Sequence, residues 1–299
     1  MPLSLWPKGE GFFYNKFMNI QKARELGFCF GVRRAVSIIE QEAQKGRKIV
    51  TLGPIVHNKT VVARLMGLGV EVVDSVDEIK GGTVAISSHG VSPAVLERIC
   101  QISDNVIDTT CPIVRSAQKV ARRLVVAGFG VIIFGEALHP EVRGLLGWAG
   151  ENSLASQDAD SVRLDGLPKR IGIMGQTTQT QDDFTAFVGR LTQRLLPQTR
   201  ELRIVNTLCR ETQKRQSAAG ELAAASDLMI VVGGHNSANT RRLAEVCSTV
   251  VETHHIENAD EINTNWLRGK QTVGITAGAS TPDEAISQVI DRIRFIAGG

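Results

Sequence analysis

The chain has 299 residues, 42% of them hydrophobic and 22% charged, which is long enough for two or three domains with sizeable cores. A net charge of +3, a pI near 8.6, 5% aromatics and the lack of a Lys/Arg block give nucleic-acid binding no support. Five cysteines, an odd number with no tight pairing pattern, argue against a disulfide framework and for a reducing cytoplasm, and no apolar run reaches the length of a membrane span.

Residues 1–17, with Pro2, Pro7 and Gly9, show neither the apolar core of a signal peptide nor the Arg/Ser bias of a transit peptide. They read as a flexible extension, or as a start placed ahead of Met18. A strand over 19–23 leads into a loop at Cys29 and a helix over 32–45, whose Val32, Ala35, Val36, Ile38 and Ile39 form one buried face. Strands follow at 49–52, 70–73 and 83–86, with a helix ending at Gly67 and another starting near Ser92-Pro93. After Asp108-Thr109-Thr110-Cys111-Pro112 the plan repeats: a helix over 114–127, strands at 131–134 and 170–174, and a helix over 181–195. Cys209 then opens a helix to Ala225, with strands at 228–232 and 273–276 and a closing helix from Pro282.

Strands alternating with helices imply parallel sheets with crossover helices. The fold class is α/β, with three small pseudo-threefold-related domains: a first at 18–110, a second at 111–205 and a third at 206–299. The N-terminal strand of the first is a candidate to pair with the third.

Cys29, Cys111 and Cys209 each precede a helix, and twenty-eight residues beyond each lies a polar loop residue, namely His57, His139 and Ser237. One cysteine and one polar loop per unit is the signature of a threefold repeat. A thiol at a helix N-terminus favours the thiolate, and three converging thiolates make a metal site that keeps one coordination position open. All-thiolate ligation suits zinc or an iron–sulfur cluster, and spacing alone does not choose between them. Cys100 and Cys247 lie within helical stretches beside Ile99 and Val246, where core packing explains them.

His57, His89 and His139 occupy strand-end loops together with Thr177, Thr178, Ser237, Asn239 and Ser280. In α/β folds ligands bind at the carboxyl ends of strands, and the helix N-termini behind these loops favour anions. The set reads as a cage for a phosphate or diphosphate. Glu141, two residues past His139, is the carboxylate of this loop set and the natural proton donor in an enclosed site. His235 is off the matching position, and His254 and His255 fall in a polar segment read as surface.

The ordered motifs Gly27-Phe28-Cys29-x-Gly31-Val32, Val56-His57-Asn58, His89-Gly90-Val91, Asp108-x-Thr110-Cys111-Pro112, His139-Pro140-Glu141-Val142, Gln176-Thr177-Thr178, Asn236-Ser237-x-Asn239 and Thr276-Ala277-Gly278-Ala279-Ser280 resemble the 4-hydroxy-3-methylbut-2-enyl diphosphate reductase (IspH/LytB) family. The resemblance runs from about Met18 to the C-terminus. It implies three α/β domains around a central [4Fe–4S] cluster held by Cys29, Cys111 and Cys209, with the substrate hydroxyl on the open iron. It implies that His57, His89, Ser237, Asn239 and Ser280 hold the diphosphate, with His139 at its edge, and that Glu141 with Thr177 handles the hydroxyl and delivers protons. Two sequential electrons from ferredoxin or flavodoxin would break the C–O bond, release water and leave an allyl anion. Protonation at either end gives isopentenyl or dimethylallyl diphosphate, the last step of non-mevalonate isoprenoid precursor synthesis. A cytoplasmic monomer is expected, with no nucleic-acid or membrane partner.

Two positions depart from the family pattern. Ala238 stands where a serine is common, which removes one hydroxyl contact. Glu136-Ala137-Leu138 precedes His139 where a glycine and a histidine often stand. Modest effects on affinity are expected from both.

Overall fold

The computed structural model describes residues 18–298, so the extension read from residues 1–17 lies outside the described residues. The chain begins with β1 (Asn19–Lys22), α1 (Phe30–Gln44), β2 (Ile49–Leu52), α2 (Lys59–Gly67), β3 (Val70–Val73), β4 (Thr83–Ile86), α3 (Pro93–Ile102) and β5 (Asn105–Asp108). It continues with α4 (Pro112–Val126), β6 (Gly130–Phe134), α5 (Pro140–Ala149), β7 (Ser153–Ser156), β8 (Arg170–Gly175), α6 (Gln181–Leu195) and β9 (Glu201–Val205). The last run is α7 (Arg210–Ala224), β10 (Leu228–Val232), α8 (Ala238–Ser248), β11 (Thr253–Ile256), β12 (Thr272–Ala277) and α9 (Asp283–Gly298).

The strands form three four-stranded sheets, ordered β3-β2-β4-β5, β7-β6-β8-β9 and β11-β10-β12-β1, and every pairing is parallel. The three orders are equivalent once β1 is counted as the fourth strand of the last sheet. Ile20 pairs with Val273 and Lys22 with Ile275, so the start of the chain does for the third sheet what β5 and β9 do for the first and second. Each of these edge strands leads into a helix that packs on the next sheet: α1 beside β2, α4 beside β6 and α7 beside β10. The three units are thereby interlocked in a ring.

Local sequence accounts for these elements. Central strands such as β10, with every residue buried, are unbroken apolar runs because helices cover both faces of a parallel sheet. In α4, Pro112 takes a first-turn position where its missing N–H is not needed. Its Val114, Ala117, Val120, Ala121 and Leu124 point inward while Arg115, Lys119, Arg122 and Arg123 point outward.

Two expectations change. Cys100 is exposed rather than packed in the core. Ile99, fully buried, takes the inward direction on α3, and the next residue is turned about 100° round the helix. Cys247 is fully buried as expected. His254 and His255 lie half-buried on β11 rather than free on the surface. The His254 ring stacks on Trp266 at 3.7 Å, and His255 Nε2 lies 2.9 Å from the Gly233 carbonyl. Among the described residues, no helix is long and apolar enough to cross a membrane.

The core of the second unit is centred on α5 and β6, where Leu145 is fully buried. Leu145→Ala is expected to cost about 2–5 kcal/mol, because a tightly packed site relaxes only partly around the cavity. Chemical denaturation monitored by far-UV circular dichroism would measure it.

Candidate active site

All three cysteines are N-cap residues: Cys29 of α1, Cys111 of α4 and Cys209 of α7. Each is anchored in the same way. Its backbone N–H donates to a carbonyl in the loop that follows the neighbouring strand of its sheet: Cys29 to Ala279 at 3.1 Å, Cys111 to Ser88 at 3.0 Å and Cys209 to Thr177 at 2.9 Å. The edge strand delivers the cysteine, and the neighbouring loop fixes its backbone. The three side chains line one cavity at the centre of the ring.

The thiols sit close enough to act on one another. Burial pushes the Cys29 and Cys111 thiols up; the Cys209 thiol adds to both shifts as a like charge, and Cys29 adds to that of Cys111. The opposing pull comes from helix N-terminal amides, including Val32 N–H, which donates to Cys29 Sγ at 3.5 Å. A Cβ built on Gly31 would lie 2.5 Å from Cys111 Sγ, so the glycine keeps open the space between two thiols.

The same cavity is lined by His57, His89, His139, Glu141, Thr177, Thr178, Ser237, Asn239 and Ser280. Every sequence-derived site residue therefore comes to one place. They arrive on the loops that follow β2, β4, β6, β8, β10 and β12. The histidine rings pack with centroids 4.4 Å apart for His57 and His89, and 5.5 Å for each of these with His139.

Burial lowers the pKa of all three imidazoles. His89 is held well below the ordinary histidine value by burial and then by its two neighbours. His139 is brought down to about 3 by burial, then by His57 and Arg241. Its Nδ1 accepts the Glu141 N–H at 3.2 Å, so in the neutral ring the proton is on Nε2. His139 thus offers a hydrogen-bond donor through Nε2. That tautomer speaks against the alternative use of the trio as metal ligands, for which their nitrogens lie within 4.8 Å of one another.

Several buried polar atoms have no protein partner: both His57 ring nitrogens, the Thr178 hydroxyl and both amide atoms of Asn239. An unpaired buried polar group costs about 1–3 kcal/mol, and a bound anion rich in acceptors would satisfy the donors among them. Ser237 caps α8 by accepting the Thr240 N–H, and the Ser280 hydroxyl donates to the His57 carbonyl at 3.1 Å. With Ala238 between Ser237 and Asn239, this stretch presents the single hydroxyl of Ser237.

Glu141 is 2% exposed, and burial pushes its carboxyl up to about 7 against two hydrogen bonds from Thr177. The Thr177 N–H reaches Oε1 at 2.7 Å and its hydroxyl reaches Oε2 at 2.9 Å. The N–H can only donate, so when the acid is neutral its proton lies on Oε2. The Thr177 oxygen then accepts that proton's hydrogen bond, and its own O–H is released toward the cavity. The pair thus has the geometry to pass a proton from Glu141 Oε2 through the Thr177 hydroxyl.

Two residues escaped the sequence reading. Arg215 is 4% exposed, and its Nη1 donates to the Ala277 carbonyl at 3.3 Å. It makes no ion pair among the described residues, and its charge helps offset the cost of a thiolate at Cys29. The available signal was an arginine on the otherwise small, inward stripe of α7. Arg241 stands beside the cage, pairs with Glu136 at 2.6 Å and holds down the pKa of His57 and His139.

Known proteins share this architecture and much of this sequence. A family model described as LytB protein matches residues 20–294. The 4-hydroxy-3-methylbut-2-enyl diphosphate reductase of Dehalococcoides mccartyi is 48% identical over 285 residues, spanning 94% of this chain and 100% of that protein. The protein of that name from Geobacter metallireducens is 44% identical, spanning 93% of this chain and 98% of its own length. A solved structure of (E)-4-hydroxy-3-methyl-but-2-enyl diphosphate reductase, described as the terminal enzyme of the non-mevalonate pathway, superposes with a TM-score of 0.66 at 39% identity, covering 93% of this chain and 99% of that one. The Plasmodium falciparum E-1-hydroxy-2-methyl-but-2-enyl-4-diphosphate reductase shares the fold, with a TM-score of 0.84 at 23% identity over 92% of this chain and 87% of its own. With a family model spanning nearly all the described residues and relatives alike from end to end, the chain is an enzyme of the LytB family.

Proposed function

We propose that this enzyme reductively removes the hydroxyl of (E)-4-hydroxy-3-methylbut-2-enyl diphosphate, giving isopentenyl and dimethylallyl diphosphate as the last step of the non-mevalonate pathway. It does so as a cytoplasmic monomer of three domains spanning residues 18–110, 111–205 and 206–299. The observation that carries this reading is the meeting of three helix-capping cysteines, an anion cage and the Glu141–Thr177 relay in one cavity.

The donor set fits an iron–sulfur cluster. Cys29, Cys111 and Cys209 are three soft ligands backed by helix N-terminal amides, which suits a [4Fe–4S] cluster with one iron left without a protein ligand. When bound, the cluster supplies single electrons and a Lewis-acidic iron.

The chain's own residues position the substrate and protonate it. His57, His89, His139, Thr178, Ser237, Asn239 and Ser280 fix the diphosphate, mostly through neutral donors, so that the hydroxylated end points toward the cysteines. Glu141 is half-protonated near neutral pH and passes its proton through Thr177 to the departing oxygen. Loss of hydroxide becomes loss of water, which lowers the barrier to C–O cleavage. The reaction balances as ROH + 2 e− + 2 H+ → RH + H2O. The second proton goes to either end of the allyl unit and sets the product.

The test is anaerobic turnover of reconstituted protein with reduced methyl viologen and the hydroxylated diphosphate. Two reducing equivalents consumed per C5 diphosphate formed are expected, from protein carrying iron and sulfide in equal amounts. Reductant left unconsumed by an iron-loaded sample would overturn the proposal.

A further inference from the structure

The outer side of α4 carries two grooves that join. One, of about 380 Å3, runs between the first turns of α4 and residues 206–211 and is lined in part by Ile113, Ser116, Leu208 and Cys209. The other, of about 400 Å3, is lined by Arg115, Lys119, Arg122, Arg123 and Trp148, among others, and meets the first at Ser116. Cys209 and Ile113 line the central cavity as well as the first groove. The wall between the cysteine site and the outside is therefore one side chain thick at this point.

The charge of the second groove is one-sided, since no acidic residue lines it. Arg115 pairs with Asp108, whereas Lys119, Arg122 and Arg123 make no ion pair among the described residues. Like charges three and four positions apart weaken a helix by tenths of a kcal/mol, and among the described residues no carboxylate pairs with these three side chains to offset that. Beside them lie apolar groups that are costly to leave in water: Ile113 is 41% exposed and Val126 is 75% exposed. Apolar contact beside a cationic rim is the composition of a protein-docking surface. The grooves present one aromatic, Trp148, and no run of stacking platforms that a nucleic acid would use.

From this arrangement we infer that the outer face of α4 docks an acidic one-electron carrier protein, whose carboxylates meet Lys119, Arg122 and Arg123 and whose redox centre is brought up to Ile113 and Cys209. The inference rests on the reductase reading above, which requires two electrons per turnover. Each docked carrier is oxidised by one electron, so two encounters supply the pair that stays on the allyl unit and forms its new C–H bond, while the hydroxyl takes the C–O bond pair and a proton and leaves as water. Cys209 is thereby the ligand nearest the carrier, although the three cysteines are equivalent in the repeat.

The experiment uses the iron-loaded enzyme and a reduced plant-type [2Fe–2S] ferredoxin, which is acidic, as the probe. In Lys119→Glu/Arg122→Glu the KM for ferredoxin at low salt is expected to rise about tenfold or more, and its dependence on ionic strength to flatten. Viologen-driven turnover should stay within about twofold of wild type, and Lys119→Gln/Arg122→Gln should fall between the two. Calorimetric titration with oxidised ferredoxin reads the same surface without turnover. If viologen turnover fails in the wild type, the reductase reading falls while the titration still judges the docking face. A ferredoxin KM and binding constant unmoved by charge reversal overturn the docking proposal. So does a 20-base-pair duplex DNA that binds this face more tightly than ferredoxin does.

Discussion

Glu141→Gln should lose about 10²–10⁴-fold in kcat, the range associated with removing a general acid, while retaining its full iron and sulfide content. The substitution keeps shape and volume at a fully enclosed position, and an amide oxygen can still accept the Thr177 N–H that now reaches Oε1. What it removes is the proton on Oε2 that the Thr177 hydroxyl would relay. The pH dependence is a second signature. Glu141 titrates at about 7, and its donor form is the protonated one. Activity should therefore fall as pH rises through about 7, as an alkaline limb in kcat/KM for the free enzyme. The residual rate of Glu141→Gln should lack that limb. A variant within threefold of wild type at pH 7 would remove Glu141 from proton delivery.

Cys111→Ser should strip the site of its metal, with iron and sulfide below about a tenth of wild type and turnover down at least a hundredfold. A serine hydroxyl is a harder donor than a thiol and ionises only at far higher pH, so the two remaining cysteines are left to hold the group. The fold should persist, because Cys111 is anchored by its backbone N–H on the Ser88 carbonyl and Pro112 still starts α4. Cys100→Ser is the control. That thiol lies on the outer face of α3, and its loss should leave metal content unchanged. Elemental analysis and the visible absorption of anaerobic protein decide the matter, and a Cys111→Ser protein with full iron content would refute a ligand role.

Legibility in the sequence tracked burial. The central strands β2, β4, β6, β8, β10 and β12 are largely apolar and buried, and their limits are readable to within about two residues. Of the edge strands, β1 and β3 were legible but β7, β9 and β11 were not. Ser153–Ser156, Glu201–Val205 and Thr253–Ile256 alternate polar and apolar groups or carry histidines, because an edge strand keeps one flank in solvent. The convergence of the cysteines with the cage was legible because the repeat places equivalent residues at equivalent strand ends. Arg215 was not legible, because a charged side chain on a helix reads as surface until the neighbouring unit is seen to cover it. Cys100 misled for the opposite reason: its neighbour Ile99 marks the inward direction, which adjacent helical positions do not share.

The pairing of β1 with β12 also sets a schedule for biosynthesis. Some 250 residues separate the two strands, so at 5–20 residues per second the ribosome needs about 12–50 s to supply the partner. Until then β1 is an open edge for chaperones to guard, and Cys29 has no Ala279 carbonyl to hold it. The settings of Cys111 and Cys209 are complete earlier in translation. On the proposed reading, the third thiol can take up its share of a cluster only after the last strand of the chain has emerged.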